Sequence, residues 1–238
     1  ISGLLDRAVR GGALSASELL SVSSTLRIVA SLLKYAGSGS GCLYTYFSML
    51  QENSFLEKRI STAIIGEDMI ADDASDALYK IRREQRKAES SIRDILSSYT
   101  TGTKSKYLQE NIVTIRGGRY VIPVKAEYRN EVKGLLHDTS ASGATYFIEP
   151  LAVLEANNRL RELKSAESDE IERILSELSE EVVRFSSQLT LNCKVITDLA
   201  CIFARAAYSY EIDGCAAIMR EGARNIKLIK ARHPLIER

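Results

Sequence analysis

Proline and tryptophan are almost missing from this sequence. Its 238 residues contain three prolines and no tryptophan, and the first proline is Pro123. A β-sandwich or a many-stranded barrel needs frequent turns, so this scarcity of turn residues argues against both folds. The composition favours long helices, with a different structure between Pro123 and Pro150.

Cysteine and histidine are too few and too scattered to build a metal site. None of the four cysteines forms a Cys-x-x-Cys pair, and the sequence has only two histidines, His137 and His233. Structural zinc sites need four Cys or His ligands, usually at short spacings. We therefore expect no metal site and four buried free thiols in a reducing cytosol. The cysteines are Cys42, Cys193, Cys201 and Cys215.

Long apolar runs are missing as well. No apolar stretch reaches the roughly 18 residues of a membrane span, and the charged start does not resemble a signal peptide. We therefore expect a cytoplasmic protein without membrane contact. Since the first residue is not Met, we also expect the sequence to be part of a longer chain. A hydrophobic fraction of 45% and a net charge of +1 argue against disorder and allow one or two domains.

Capping signals predict helices in the first hundred residues. Ser15 and Glu18 form a capping-box pattern at the start of a helix that ends near Gly37. Residues 44–65 predict one or two further helices. Ser75 is an N-cap for a helix of about 25 residues, in which apolar residues recur at steps of three and four.

A second long apolar stripe follows Pro150, which is placed to open a helix at its first turn. The stripe continues for about 40 residues, or about 60 Å of helix if it is unbroken. The shortest connection packs this helix antiparallel to the one that starts after Ser75. We therefore predict two long, coiled-coil-like arms.

Residues 111–149, between the arms, predict a small β-sheet. The β-rich segments 112–115 and 120–124 flank Gly117 and Gly118, which is a hairpin signal. Segments 132–137 and 144–148 are two more candidate strands, joined by a loop of small and polar residues. The predicted fold class is mainly α: a helical core with two antiparallel arms that carry a four-stranded sheet at their tip.

This β-rich segment is basic. Seven basic and three acidic residues lie between positions 104 and 133, an excess of +4 that leaves −3 for the rest of the chain. Lys and Arg bind phosphates without reading base sequence, and Tyr120 and Tyr128 either stack on bases or pack under the sheet. Alternatively, the cations protect the sheet edges from pairing with other chains. The candidate nucleic-acid-binding residues are Lys104, Lys106, Arg116, Arg119, Lys125, Arg129 and Lys133.

The loop after the third strand has the residue types of a hydrolase, but their arrangement favours a turn. A serine nucleophile needs a histidine and an orienting carboxylate within reach, and no G-x-S-x-G elbow surrounds these residues. Small side chains do let a backbone approach a phosphate closely. We therefore predict no catalytic residue here, but a possible contact loop. Its residues are His137, Ser140, Ser142 and Gly143.

Charged residues on the two arms are expected to be solvated. They show no convergent arrangement that indicates a metal site. The basic ones are Arg82, Arg83, Arg86 and Lys87, and the acidic ones are Glu167, Asp169, Glu170, Glu172, Glu177, Glu180 and Glu181.

The tip sequence resembles the bacterial MutS-two family, a paralogue family of MutS. The resemblance rests on RGGRYVIPVK at 116–125 and HDTSASGATYFIEP at 137–150, with shorter matches at 11–19, 73–82 and 231–235. It implies a helical core and lever, a clamp at the end of two arms, and then an ATPase and usually an Smr nuclease domain. The implied division is 1–74 core and lever, 75–110 outgoing arm, 111–149 clamp, 150–190 return arm, 191–225 core and lever, and 226–238 the start of the ATPase domain.

The resemblance implies a non-catalytic module that grips a nucleic-acid backbone. Its ligand would be duplex or branched DNA, or ribosomal RNA on collided ribosomes, in recombination suppression or ribosome rescue. The sequence contains no Walker motif. ATP, Mg²⁺, homodimerisation and any endonuclease activity are therefore expected only with domains outside it. Two alternatives stay open: a protein-interaction rod that binds no nucleic acid, and an enzyme centred on His137 and Ser140.

Overall fold

The computed structural model describes residues 1–37, 41–219, 221–222 and 226–229. These residues form a mainly α-helical structure with one four-stranded sheet, which confirms the predicted fold class. The helices are α1 (Ser2–Val9), α2 (Ala16–Ala36), α3 (Tyr44–Met49), α4 (Ser54–Ala63), α5 (Asp76–Thr100), α6 (Leu151–Arg184) and α7 (Ser186–Glu211). The strands are β1 (Ile64–Gly66), β2 (Met69–Ile70), β3 (Thr114–Arg116), β4 (Arg119–Lys125), β5 (Gly134–Thr139) and β6 (Thr145–Pro150).

The base of the molecule is a helical core that α1, α2, α4 and one end of the arms build together. Ser15 accepts a hydrogen bond from the Glu18 N–H while the Glu18 carboxylate accepts one from the Ser15 N–H, so the predicted capping box at the start of α2 is confirmed. Leu19 of α2 and Leu56 of α4 are fully buried in this core, as is Val182 of α6. A satellite core joins α2, α3 and α7.

Helices α5 and α6 are the two predicted arms, and they run antiparallel. The Ser75 hydroxyl accepts a hydrogen bond from the Leu78 N–H and donates one to Glu170, so the N-cap of α5 also joins it to α6. Leu78 lies in the core of the base, whereas Ile92, 14 residues further on, lies in a second core at the other end. At 1.5 Å per residue these two positions are about 21 Å apart.

A polar layer joins the arms between the two apolar cores. The Arg82 guanidinium donates to Glu167 Oε1 at 2.7 Å, to Asp72 Oδ1 at 2.6 Å and to the Ile70 carbonyl at 2.8 Å. Gln85 Nε2 donates to Glu167 Oε2 at 2.8 Å. Contrary to expectation, Arg82 and Glu167 are therefore not solvated. The polar layer that they form with Gln85 explains why the apolar stripe of the sequence is interrupted at Gln85 and again after position 163.

The return arm is shorter than predicted because the helix breaks at Phe185. This residue has φ −106° and ψ 14°, outside the helical region, and its N–H donates to the Val182 carbonyl at 3.1 Å. Its ring packs against the core of the base. The helix therefore ends after 34 residues instead of about 40, and α7 begins at Ser186.

The tip, residues 103–150, contains an antiparallel sheet with strand order β3-β4-β6-β5. All four strands were predicted, and the Gly117-Gly118 turn that joins β3 to β4 has positive φ angles of 54° and 75°, as a tight hairpin needs. Between Leu136 and Asp138 the register of β5 against β6 shifts, which makes His137 the extra residue of a β-bulge. Ile122, Val124 and Ile148 pack between the sheet and the ends of the arms.

Several smaller expectations are wrong. The four cysteines are free, but three of them are exposed and Cys193 is half-buried. The sequence also predicts a strand at 226–230, but residues 226–229 form none, and the match at 231–235, which includes His233 and Pro234, lies outside the described residues. The short β1–β2 hairpin was not predicted.

Helix α2 is the one helix in the described part of the chain that is long and apolar enough, by length and composition, to cross a membrane. The expectation that no stretch reaches this length is therefore wrong. Of its most apolar stretch, 39% is buried inside the structure, and Leu19, Val22 and Leu26 belong to the core of the base.

Glu167→Ala tests the polar layer between the arms. The substitution removes the carboxylate that Arg82 and Gln85 share, and leaves two half-buried donors without this partner. We expect the free energy of unfolding to fall by about 1–3 kcal/mol in urea titrations. Glu172→Ala is the matched control, since Glu172 is an exposed acid on the same helix. An equal loss in both variants would show that the layer adds no stability.

The free energy of unfolding should depend on pH through the Glu170 carboxyl group in the base. Hydrogen bonds from Arg173 and Ser75 lower the pKa of this carboxyl from 4.5 to about 2. A lowered pKa stabilises the folded state above the unfolded value, so this contribution is lost as the pH falls from about 4.5 to about 2. Glu170→Gln should therefore lose less stability than the wild type between about pH 6 and pH 3 in urea unfolding. Glu172→Gln is the control, and identical losses in all three proteins would contradict the assignment.

Candidate nucleic-acid interface

Tyrosine side chains of the tip pack beneath the sheet. Tyr120 and Tyr128 pack against the core between the sheet and the arms, and the Tyr107 and Tyr128 rings lie 5.3 Å apart. Of the two roles that the sequence left open for Tyr120 and Tyr128, the structure therefore places both under the sheet.

Three of the predicted lysines form one group beside the end of α5. Lys104 Nζ lies 4.4 Å from the ring centre of Tyr99, and Lys106 Nζ lies 5.1 Å from that of Tyr107. Lys125 Nζ, from the end of β4, donates to the Lys106 carbonyl at 3.5 Å. Among the described residues none of these ammonium groups has a carboxylate within 4.0 Å. The group therefore presents three positive charges that no ion pair neutralises.

Arg129 and Lys133 lie on the segment that joins β4 to β5. The Arg129 guanidinium carbon is 5.4 Å from the ring centre of Tyr146 on β6. Lys133 is exposed, and its carbonyl accepts a hydrogen bond from the N–H of Leu151 at 3.1 Å. Within the part of the chain that the structure describes, neither side chain is in an ion pair. Both side chains thus keep their full charge for a ligand.

Arg116 lies at the end of the β3–β4 hairpin and crosses the outer face of the sheet. Its guanidinium carbon is 4.4 Å from the ring centre of Phe147, and its Nε is 3.5 Å from Asp138 Oδ2. The Asp138 side chain is half-exposed, so the pair is solvated and binds Arg116 weakly. A phosphate can compete for this guanidinium.

Arg119 and His137 are turned inward to a buried carboxylate. Glu149, on β6, is 0% exposed. Arg119 Nη1 donates to both of its oxygens, at 2.8 Å and 3.0 Å, and His137 Nε2 lies 2.6 Å from Oε2. Arg119 is also only 16% exposed. The Arg119 guanidinium is therefore committed to an internal ion pair, unlike the other candidate cations.

Two asparagines of α6 complete this network. Asn157 Nδ2 donates to Glu149 Oε1 at 2.7 Å and to the Tyr120 carbonyl at 3.1 Å, while its Oδ1 accepts from the Tyr120 N–H at 3.2 Å. The Asn157 amide thus makes the two backbone hydrogen bonds that a neighbouring strand would make with Tyr120 of β4. Arg119 Nη2 donates to Asn158 Oδ1 at 2.6 Å.

The candidate contact loop is a tight turn that does not include the His137 side chain. Gly143 has a φ of 70°, and its N–H donates to the Ser140 carbonyl at 2.8 Å. Ser140 Oγ accepts from the Thr145 N–H at 3.1 Å and lies 3.3 Å from Ser142 Oγ. The structure does not bring His137 and Ser140 together as a base and a nucleophile, because the ring of His137 bonds to Glu149. In the described residues there is also no group of three or more Cys, His, Asp or Glu that could hold a metal ion.

Sequence reasoning did not identify three residues of this network. They are Glu149, Asn157 and Asn158. The signal for Glu149 was an acidic residue between the apolar residues of a strand and Pro150, but its partners His137 and Arg119 are 12 and 30 positions away in the sequence. The two asparagines gave no signal, because nothing in the sequence shows that α6 passes beside β4.

Ion pairs are distributed unevenly between the arms and the tip. On α5 and α6, seven of the eleven Lys and Arg side chains lie within 4.0 Å of a carboxylate, whereas at the tip two of seven do. The arms therefore neutralise most of their own charge. The tip carries the excess of unpaired positive charge in this half of the molecule.

No family model matches the sequence. Among curated proteins the chain is similar to three that are named Endonuclease MutS2, from Acetivibrio thermocellus, Ruminiclostridium cellulolyticum and Pelotomaculum thermopropionicum. The identities are 43% over 241 residues, 42% over 240 and 41% over 241. These alignments cover 98%, 98% and 100% of the chain, but only 30%, 30% and 31% of the relatives. With this identity along nearly its whole length, the chain belongs to the MutS2 family, and it spans about 30% of the length of the curated relatives it matches.

Proposed function

We propose that this chain is the non-catalytic lever and clamp of a MutS2 protein, and that its tip grips the backbone of a nucleic acid. The ligand is a polyanion: duplex or branched DNA, or ribosomal RNA on collided ribosomes. In this proposal residues 1–74 and 191–225 form the lever, 75–110 and 150–190 the arms, and 111–149 the clamp. The process is recombination suppression or ribosome rescue.

The observation that carries this proposal is the set of unpaired cations at the tip. Lys104, Lys106, Lys125, Arg129 and Lys133 have no ion-pair partner among the described residues, and Arg116 has only a solvated one. Flexible cations on an exposed surface bind phosphates through charge and release counterions, without reading bases. Four of the six lie over aromatic rings, which attract the cation without neutralising its charge.

The arms suit a mechanical role. A helix of 25 residues is about 38 Å long, and two apolar cores with a polar layer between them keep α5 and α6 in one register. A small rotation at the base therefore moves the tip over a much larger distance. This movement would close the tip on its ligand when a motor domain acts on the base.

ATP hydrolysis and the endonuclease activity named for the relatives belong, in this proposal, to the parts of MutS2 proteins outside these 238 residues. ATP and Mg²⁺ would bind there, and homodimerisation would occur there. The tip would supply binding alone. Within the described residues, the His137 ring bonds to Glu149 and is not paired with Ser140.

Replacing tip cations should weaken nucleic-acid binding in a salt-dependent way. Lys104, Lys106, Lys125 and Arg129 are all changed to Gln, and affinity for a DNA duplex is measured by fluorescence anisotropy between about 50 and 200 mM salt. The slope of log K against log salt should become shallower by about 0.9 for each phosphate that the variant no longer neutralises.

A matched control changes four exposed lysines outside the tip, Lys34, Lys58, Lys80 and Lys194, to Gln and alters the net charge equally. Equal effects of the two sets would show that the charge of the whole chain binds, not the tip. If the wild-type chain binds no duplex and no structured RNA at about 50 mM salt, the protein-interaction rod is the better description.

Arg119 and Arg129 should behave differently although both are tip arginines. Arg119→Gln leaves buried Glu149 without its guanidinium, so we expect a loss of about 3 kcal/mol or more in the free energy of unfolding. Arg129→Gln should leave stability within about 0.5 kcal/mol and reduce the salt slope of binding. Urea unfolding and the anisotropy titration check both. The opposite pattern would place Arg119 at the ligand.

A further inference from the structure

We infer that Glu149 is a positioning residue: its buried carboxylate fixes the tip sheet to the return arm in one orientation, so that movement of α6 is transmitted to β4 and its cations. The inference concerns a residue outside the cation set, and its role in binding rests on the proposed function. The joint itself is a statement about structure and can be tested without any ligand.

The sheet and α6 are joined covalently at one point only. Pro150 ends β6 and Leu151 starts α6, so the two elements are joined by a single peptide bond with no linker residue between them. A single connection leaves the sheet free to rotate about it unless another contact with a defined direction opposes the rotation. Apolar packing between Ile122 and Val153 adds area but little directionality.

The Glu149 network supplies the directional contact. Its carboxylate joins Arg119 on β4, His137 on β5 and Asn157 on α6, so three elements meet at one buried charge. Asn157 then holds both backbone groups of Tyr120, and Asn158 holds the far side of the Arg119 guanidinium. β4 is therefore attached to α6 by hydrogen bonds with fixed lengths and angles.

The network is hard to disrupt partially. A carboxylate that is 0% exposed must keep its partners, because an unpaired buried charge is strongly unfavourable. A rotation of α6 that broke the Asn157 bonds would leave the N–H and C=O of Tyr120 without this partner and would remove one of the donors to Glu149 Oε1. The sheet therefore follows the helix.

The joint also fixes where the cations lie. Lys125 is at the other end of β4, and it meets Lys106 on the segment that follows α5. The segment with Lys104 and Lys106 is itself attached to β4, since Leu108 bridges Val124 and the Gln109 N–H donates to the Pro123 carbonyl at 2.8 Å. If β4 is released from α6, these lysines move with β4 and lose their fixed position relative to Lys133, whose carbonyl accepts from the N–H of Leu151 on α6. The charge of the tip would be unchanged, but its arrangement would not be.

Two pairs of matched variants of the full 238-residue chain separate this role from a change of charge. Glu149→Gln and Glu155→Gln each remove one negative charge, but Glu155 is exposed on α6 and outside the network. Asn157→Asp and Asn158→Asp each add one negative charge. Asn157→Asp loses the two hydrogen bonds that Nδ2 donates and places a carboxylate beside Glu149, whereas Asn158→Asp keeps the oxygen that accepts from Arg119.

Hydrogen exchange of backbone amides measures the joint directly. We expect residues 119–124 and 134–139 to exchange on the order of 10- to 100-fold faster in Glu149→Gln and Asn157→Asp. The two control variants should exchange as the wild type does, and α2 should be unaffected in all four. Unchanged exchange in both test variants would overturn the inference, and so would faster exchange in α2, which reports general unfolding.

Spin labels test orientation, which a merely stabilising network would not change. With the four native cysteines changed to Ser, labels are attached at Ala141→Cys in the tip and Lys164→Cys on α6, both exposed. Double electron–electron resonance should give a broader tip-to-arm distance distribution in Glu149→Gln and Asn157→Asp than in their controls. Equal widths in all variants would overturn the positioning role.

Duplex binding distinguishes failure of the joint from failure of the proposed function. Asn157→Asp should bind a duplex several-fold more weakly than Asn158→Asp, although the two have the same charge. If the wild type binds no nucleic acid, the proposed function fails, while exchange and spin-label distances still decide the joint. If the wild type binds and these two variants bind equally, the joint does not position the cations and the inference fails.

Discussion

The packing of α5 against α6 is the contact on which the rest of the structure depends. These helices carry the base core at one end and the tip core at the other. Among the described residues, no other helix or strand contributes side chains to both cores. Apolar contacts are non-directional, so the two cores alone would let the helices slide. The Arg82, Gln85 and Glu167 layer between them has defined hydrogen-bond partners, which fixes the register at some cost in burial energy.

Buried polar side chains make the other directional contacts of this molecule. Asn157 holds the N–H and C=O of Tyr120, and Asn192 on α7 holds the N–H and C=O of Gln51 in the same way. In each case a helix side chain makes hydrogen bonds to backbone groups that no strand pairs on that side. Ser179 of α6 likewise accepts from the Leu14 N–H. The helices are therefore attached to their neighbours at defined points.

The cations of the arms and those of the tip have different neighbours. Along the arms, most cations meet acids of the same or the facing helix, and these pairs join α5 to the segments around it. At the tip, four of the seven cations lie over aromatic rings, and five have no carboxylate within 4.0 Å among the described residues. Arg119 is the exception, because its charge is used inside the fold. Counting basic residues thus overstates the exposed positive charge of the tip, since the charge of one of the seven is used inside the fold.

Most of the secondary structure was determined by the sequence itself. The Ser15 capping box, the Ser75 N-cap, the Gly117-Gly118 hairpin and the helix that opens after Pro150 all depend on interactions between residues a few positions apart, which local patterns record. The apolar stripes also predicted that the arms pack against each other. Only the tertiary structure decided which charged residues are solvated. Arg82 meets Glu167 across 85 positions, and Arg119 meets Glu149 across 30. Charged side chains look alike in a sequence, and it is long-range packing that sets whether each one faces water, a phosphate or a buried partner.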